Sequence, residues 1–589
     1  MDQTMQKHTG YVPGLDGLRA FAIAGIVLYH MFPGAVRGGY LGVSLFFVLS
    51  GYLLSRSSLR NRARGSMRAG SFYLRRIRRI YPALLWVTAL TLIALRLFLP
   101  GALAGIRLEV LSIVGGWQNW LQILQSQDYF TRITATSPFT HMWSLAVELQ
   151  FYLVWPLLFL MYHLEMKEGN AAATIGLLFG LALVSALAMA MVYDLTGNAT
   201  RAYYGTDTRA HALLLGCALG LLPERTRAVP KPLGAAAFTL CAAALAALML
   251  LLDGAWAGTY YGLLALASVL SAGLVLLCAR EELPFGRALD WRPLKWLGER
   301  SYEIYLVMYP VIFFLERLRP VKNAAALHLL EAALILILAC AVHALSAPRA
   351  WRAPEGRPVW RCVTRPAFVA AVLAVAAGAV IAAGAPAGHA DLDALAQTLQ
   401  TNRAEIEQRQ TMPAPEETSG APEMAQVSEP APVFDPASVT MVGDSVLLGA
   451  LPALQEALPG CVVDGKVSRQ VWDAAETFDE LEASGQLGRI VVIALGTNGT
   501  FTAEQGQSLI DRLGPDRQIY WVTVYGAYLA WQEQSNEVIR AVAAQNDNVT
   551  LIDWAAVAPD HGDWLYSDGI HLQPPGQQGY AAMIADAIQ

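Results

Sequence analysis

Ser445, Asp568 and His571 are the side-chain types of a hydroxyl-based acyl-transfer centre. Serine is a poor nucleophile until an adjacent imidazole takes its proton. His571 can be that base, and Asp568, three residues earlier, can hold the ring in the required tautomer. Gly443-Asp444-Ser445 follows the short apolar run Ser438-Val439-Thr440-Met441-Val442, as in a tight turn leaving a strand. A second run, Arg489 to Leu495, ends at Gly496-Thr497-Asn498. The Ser445 N–H and the Asn498 amide are then candidate oxyanion donors, each worth about 3–4 kcal/mol in a comparable case. Gly-Asp-Ser or Asp-x-x-His alone is commonplace. In this order, and all at strand ends, they predict one catalytic centre.

A second group of chemically capable residues lies in strongly apolar sequence, where ionisable groups are costly and usually functional. Arg19 and His30 are eleven residues apart, which on a helix returns to within about 20° of one face, about 16 Å along the axis. An anchor arginine with an interfacial histidine is the plainer explanation. His141, Ser144 and Glu148 fall on one helical face at i, i+3 and i+7. Glu148, flanked by Leu145, Val147, Phe151 and Leu153, requires a partner or an aqueous cavity. The basic run Phe72 to Pro82 holds Arg75, Arg76, Arg78 and Arg79. It suits anionic lipid and topology setting, or a grip on phosphate, which matches guanidinium geometry.

The elements that carry these residues divide the chain. Of its 589 residues 55% are hydrophobic and only 15% charged, against about 25% in soluble domains, so much of the chain faces lipid. From residue 391 onward 8 Lys and Arg stand against 28 Asp and Glu, a net of −20; the remaining 34 basic and 19 acidic residues give the first part +15. Apolar stretches near 17–33, 39–55, 82–100, 143–163, 171–193, 210–222, 233–252, 260–279, 301–315, 325–344 and 366–385 predict eleven spans. With a cytoplasmic N-terminus, the nine arginines of 56–81 fall inside, as do Arg225, Arg227, Lys231, Arg287, Arg292, Lys295 and Arg300. Arg349, Arg352, Arg357, Arg361 and Arg365 fall there too, and the acidic tail falls outside. The first apolar run has no small-residue cleavage site, so no cleavable signal peptide is expected.

The expected organisation is a polytopic α-helical membrane domain over 1–385, a flexible extracytoplasmic linker over 386–435, and an α/β domain over 436–589. The linker is rich in Ala, Pro, Glu and Gln, with a helical stretch possible near 390–410. In the last part, runs at 438–442, 489–495, 518–524 and 549–553 alternate with helical segments, predicting a parallel sheet covered on both faces. Such sheets place their sites at the carboxyl ends of strands. Only Cys461 of the six cysteines lies in this part, so no disulfide forms within it, and no Cys/His cluster has zinc spacing. Neither a metal, nor a tightly bound cofactor, nor a nucleic-acid partner is expected.

Leu15-Asp16-Gly17-Leu18-Arg19-Ala20, the Arg19-x10-His30 spacing, Gly42 to Tyr52, His141 to Pro156, Tyr203 to Arg209 and Ser301 to Leu306 resemble acyltransferase family 3 over about residues 10–345. The resemblance implies transfer of acetyl from cytosolic acetyl-CoA to an extracytoplasmic glycan. It implies Arg19 and His30 as an essential pair, Arg75, Arg76 and Arg79 near the coenzyme, and Glu148, with His141, within the pore. One departure is visible: Tyr309 precedes Pro310 where the family often has histidine. Gly443-Asp444-Ser445-Val446, Gly496-Thr497-Asn498 and Asp568-Gly569-Ile570-His571 resemble the SGNH hydrolases. There the second block's glycine aligns with Ser468, or with Gly465 if the block is shifted, and Gly499 replaces a common aspartate.

Fusion of the two parts resembles peptidoglycan O-acetyltransferases, in a lipid bilayer, whose product resists lysozyme. The resemblance implies an acetylated Ser445 and, as acceptor, the C6 hydroxyl of muramic acid. O-antigen, exopolysaccharide or teichoic acid is the alternative acceptor class. A glycan-binding sensor would tolerate Ser445→Ala; a deacetylase would not need the membrane part.

Overall fold

The computed structural model describes residues 12–64, 69–125, 137–166, 171–196, 199–222, 230–254, 256–280, 283–321, 323–346, 366–386, 390–411, 434–527, 529, 531–566 and 568–589. Arg68, Arg225, Arg227, the five arginines of 349–365, Cys362 and most of the expected linker lie outside them. Two compact units result, Met1–Ala387 and Gly388–Gln589.

The first unit is helical. All eleven predicted stretches fall on helices. Among the described residues, six of those helices are long and apolar enough to cross a membrane: Gly39–Ala63, Ala69–Phe98, Thr140–Glu165, Ala172–Thr196, Lys231–Leu251 and Ala324–Ser346. Length and composition thus bear out six of the eleven predicted spans among the described residues. Leu15–Met31, Thr206–Leu221 and Leu263–Cys278 have 17, 16 and 16 residues, about 24–26 Å at 1.5 Å per residue, short of a hydrocarbon core of about 30 Å. Ser301–Leu318 carries Glu303, Glu316 and Arg317.

Helix contact at the centre depends on missing side chains. A Cβ on Gly51 would lie 2.1 Å from the Leu213 carbonyl oxygen, and one on Gly216 would lie 2.1 Å from that of Val48. The helices Gly42–Ala63 and Thr206–Leu221 thus touch backbone to backbone, as small residues allow in membranes. This contact fixes the helix that carries Ser50. Arg209 is fully buried in the same seam, donates to Ser44 Oγ at 3.3 Å, and lies 4.9 Å from the Tyr203 ring centroid.

The second unit holds a five-stranded sheet: β1 Val439–Gly443, β2 Val462–Gly465, β3 Ile490–Ala494, β4 Gln518–Val522 and β5 Val549–Ile552. The order is β2-β1-β3-β4-β5, with every pair parallel. β1 and β3 are buried throughout, as central strands covered on both faces must be. The strand order reverses between β1 and β3, where such sheets open a crevice at their carboxyl ends. β2 was not anticipated as a strand. It has four residues at the sheet edge and alternates half-buried with buried positions, too short a pattern to identify from sequence.

The segment expected to tether the domain contains a 22-residue helix, Ala390–Thr411, and this part is no free linker. Ile406 joins the sheet domain's core, Leu399 packs against that core, and buried Asn402 donates to the Leu448 carbonyl at 2.7 Å. Leu448 belongs to Ser445–Gly449, the short helix that opens with the candidate nucleophile.

Candidate active site

Ser445 stands where β1 stops. Asp444, buried, caps the helix Ser445–Gly449 by accepting from the Val446 N–H at 2.9 Å. A Cβ on Gly443 would come within 2.6 Å of the Leu447 side chain, so the turn requires glycine. The Ser445 N–H lies in the first turn of this helix, without an intrahelical acceptor.

His571 Nε2 lies 2.8 Å from Ser445 Oγ, and its Nδ1 lies 2.7 Å from Asp568 Oδ2. The other carboxylate oxygen of Asp568 accepts the N–H groups of Ile570 and His571 at 2.9 and 3.0 Å. Gly569, at φ 70, makes this tight loop. The Ala527 N–H donates to the Gly569 carbonyl at 2.8 Å and pins the loop from outside. Burial acts to raise the Asp568 carboxyl, but the hydrogen bond and charge of His571, with the two N–H donors, hold it below its usual range. Burial raises the Asp444 carboxyl, against the Val446 N–H. These two aspartates are therefore unlike: Asp568 remains an acceptor for imidazolium, while Asp444 is a buried cap.

The expected oxyanion side is formed by the loop after β2 and the loop after β3. Ser468 has φ 63, one of two positive values among described residues other than glycine. It thus occupies the conformation that glycine favours, with its side chain exposed. Gly465 serves packing instead: a Cβ there would lie 2.8 Å from Leu448 Cα. Asn498 donates from Nδ2 to the Arg469 carbonyl at 3.2 Å, and Gln470 Nε2 donates to the Asn498 carbonyl at 2.9 Å. A primary amide has a second N–H to offer. Arg469, which the sequence did not single out, is buried and clamps this corner. Its guanidinium donates to the carbonyls of Gly443 and Asp464 at 2.9 and 2.7 Å and to the Asp464 carboxylate at 2.5 Å. The only signal was an isolated cation beside Ser468.

In the helical unit Arg19, Arg76, Arg79, Ser144 and Glu148 line one open cavity of about 140 Å³. Arg75 is exposed and outside that lining. Arg19 Nη1 pairs with Asp16 at 2.9 Å. Glu148 accepts from the hydroxyls of Ser50 and Tyr152. The sequence did not single out Tyr152, although it is the i+4 neighbour of Glu148. His30 and His141 do not line the cavity. The common face expected for His141, Ser144 and Glu148 is broken because His141 sits in the 3-10 turn Thr140–Met142, ahead of the helix Trp143–Glu165. His141 stacks on Tyr309 at 5.3 Å, and His30 meets the same ring edge-on at 5.4 Å. Tyr309, at the place where histidine was expected, therefore joins the two imidazoles.

A profile of the family described as "Acyltransferase domain" matches residues 12–347. YrhL of Bacillus subtilis (strain 168) is 31% identical, covering 99% of both chains. The "Peptidoglycan O-acetyltransferase OatA" of Listeria monocytogenes is 29% identical over the full length of both. A solved structure, the peptidoglycan O-acetyltransferase A C-terminal catalytic domain of Streptococcus pneumoniae with a methylsulfonyl adduct, is 29% identical. It covers 26% of this chain and 92% of its own, with a TM-score of 0.24.

Proposed function

The chain belongs to the acyltransferase family, and on that premise we propose that it moves acetyl from cytosolic acetyl-CoA through its helical unit to Ser445, and from Ser445 to a peptidoglycan hydroxyl. A full-length relative named peptidoglycan O-acetyltransferase, that of Listeria monocytogenes, supports the acceptor class. The C6 hydroxyl of muramic acid is the acceptor within it. The placement of basic residues supports eleven crossings, a cytoplasmic N-terminus and an outer α/β domain.

The observation that carries this reading is the hydrogen-bonded series Ser445–His571–Asp568. His571 Nε2 takes the proton as Ser445 Oγ attacks the acetyl carbonyl, and Asp568 stabilises the resulting imidazolium. The N–H groups of Ser445 and Ser468 and the Asn498 amide receive the oxyanion. The leaving group takes the proton from His571, and acetyl-Ser445 remains. A sugar hydroxyl, deprotonated by the same imidazole, then attacks the ester and restores Ser445. Exposure of the purified full chain to an activated acetyl ester, acid quench and peptide mass analysis tests this. Acetyl is expected on the Ser445 peptide and absent from Ser445→Ala. Turnover without any acetyl at Ser445 would refute the scheme.

A further inference from the structure

The cavity in the helical unit has two kinds of wall. Arg19, Arg76 and Arg79 supply cationic groups, whereas Val43, Phe46 and Leu53 supply an apolar surface on the helix Gly42–Ala63. A ligand with phosphate at one end and an acyl group at the other matches both. Ser50, Tyr152 and Glu148 line the same cavity. Among the described hydroxyls lining the cavity, only Ser50 and Tyr152 are hydrogen-bonded to a carboxylate. Tyr302 instead donates to the Ile80 carbonyl at 3.0 Å, Tyr305 to that of His141, and Ser144 pairs with Tyr305 at 2.7 Å.

Ser50 and Tyr152 differ in access. Tyr152 is buried, with the Arg76 guanidinium 4.8 Å from its ring centroid, while Ser50 is half-buried and faces the cavity. A hydroxyl beside a carboxylate that can take its proton is the general arrangement of an activated nucleophile. The Gly51–Leu213 contact fixes the helix at the next residue.

We propose that Ser50 is a second acyl-accepting nucleophile, with Glu148 as its base, and that it takes the acyl group directly from the coenzyme thioester. The proposal rests on the coenzyme reading above. Ser50 Oγ attacks the thioester carbonyl carbon while Glu148 takes the hydroxyl proton. A C–O bond forms, the C–S bond breaks, and the departing sulfur recovers the proton from Glu148. Acetyl-Ser50 and free coenzyme thiol are the products, and no further reactant is needed. Tyr152 donates to the same Glu148 oxygen as Ser50, its hydroxyl 3.3 Å from Ser50 Oγ, and the arginines stabilise both the phosphates and the transient oxyanion.

Full-length Ser445→Ala protein in lipid nanodiscs, pulsed with acetyl-labelled acetyl-CoA and digested for peptide mass analysis, tests the assignment. Label is expected on the Ser50 peptide, reduced at least about ten-fold by adding Ser50→Ala or Glu148→Gln. Adding Ser50→Cys instead converts the adduct to a thioester, which neutral hydroxylamine removes. A residue that only braces Glu148 could not produce that change of chemistry. Label undiminished in Ser50→Ala, label confined to another residue such as His30, or a Ser50→Cys adduct resistant to hydroxylamine would overturn the role of Ser50 alone. No label anywhere in the Ser445→Ala parent would overturn the coenzyme reading together with it.

Discussion

Replacing Ser468 by glycine should stabilise the α/β unit while leaving catalysis intact. At φ 63 a residue with a Cβ pays about 1–2 kcal/mol for the left-handed region. Glycine removes this strain but loses more freedom on folding, about 0.5–1 kcal/mol. The side chain is exposed, so no packing offsets the difference, and a net gain of about 0.5–1 kcal/mol remains. For a domain of this size that raises the unfolding midpoint by roughly 1–4 °C. The assay is thermal unfolding of the purified full chain, with hydrogen exchange of the β1 and β3 peptides identifying the transition. Turnover of an activated acetyl ester should stay within about twofold, because the backbone N–H is unchanged. Ser468→Val, β-branched and intolerant of this φ, should lose stability instead. A Ser468→Gly protein that is less stable, or that loses most of its turnover, would refute the reasoning and assign the work to the hydroxyl.

Two further perturbations separate chemistry from support. Asp568→Asn should lower kcat by about 10⁴, because an amide can neither fix the tautomer nor balance imidazolium; ester turnover checks this. The same substitution should alter acid stability. The Asp568 carboxyl is held below its ordinary value in the fold, so its contribution is complete above about pH 4 and is lost as pH falls through the native value. Asp568→Asn should flatten that acid-side loss in denaturant titrations between neutral pH and pH 3. Asn402→Ala removes the amide that caps the Leu448 carbonyl and should cost about 1–3 kcal/mol, measured as a lower unfolding midpoint of the α/β unit. Unchanged stability would show that the helix Ala390–Thr411 is not docked in solution.

What the sequence could show depended on how local each signal is. Ser445, Asp568 and His571 were legible because each sits in a short turn motif, and β1 and β3, buried on both faces, read as largely apolar runs. β2 was hidden by its four-residue length at the sheet edge. The docking of Ala390–Thr411 was hidden differently. Leu395, Leu399, Asn402 and Ile406 recur at spacings of four, three and four, a helical stripe diluted by the polar residues around it. Arg469 gave no pattern, since its partners are two carbonyls and a carboxylate gathered only by folding. In the helical unit, periodicity placed Ser144 and Glu148 together. It misplaced His141, because a 3-10 turn ends the α-helical register just before Trp143. Of the eleven spans counted from apolar length, helix length and composition bear out six among the described residues.

The central claim is that Ser445 hands an acetyl group to the cell wall. Mass analysis of wall muropeptides from cells carrying the full chain or its Ser445→Ala variant, at equal membrane abundance, tests it most directly. The account predicts O-acetylated muramic acid with the intact serine and its loss in the variant. Equal O-acetylation in both strains would contradict it.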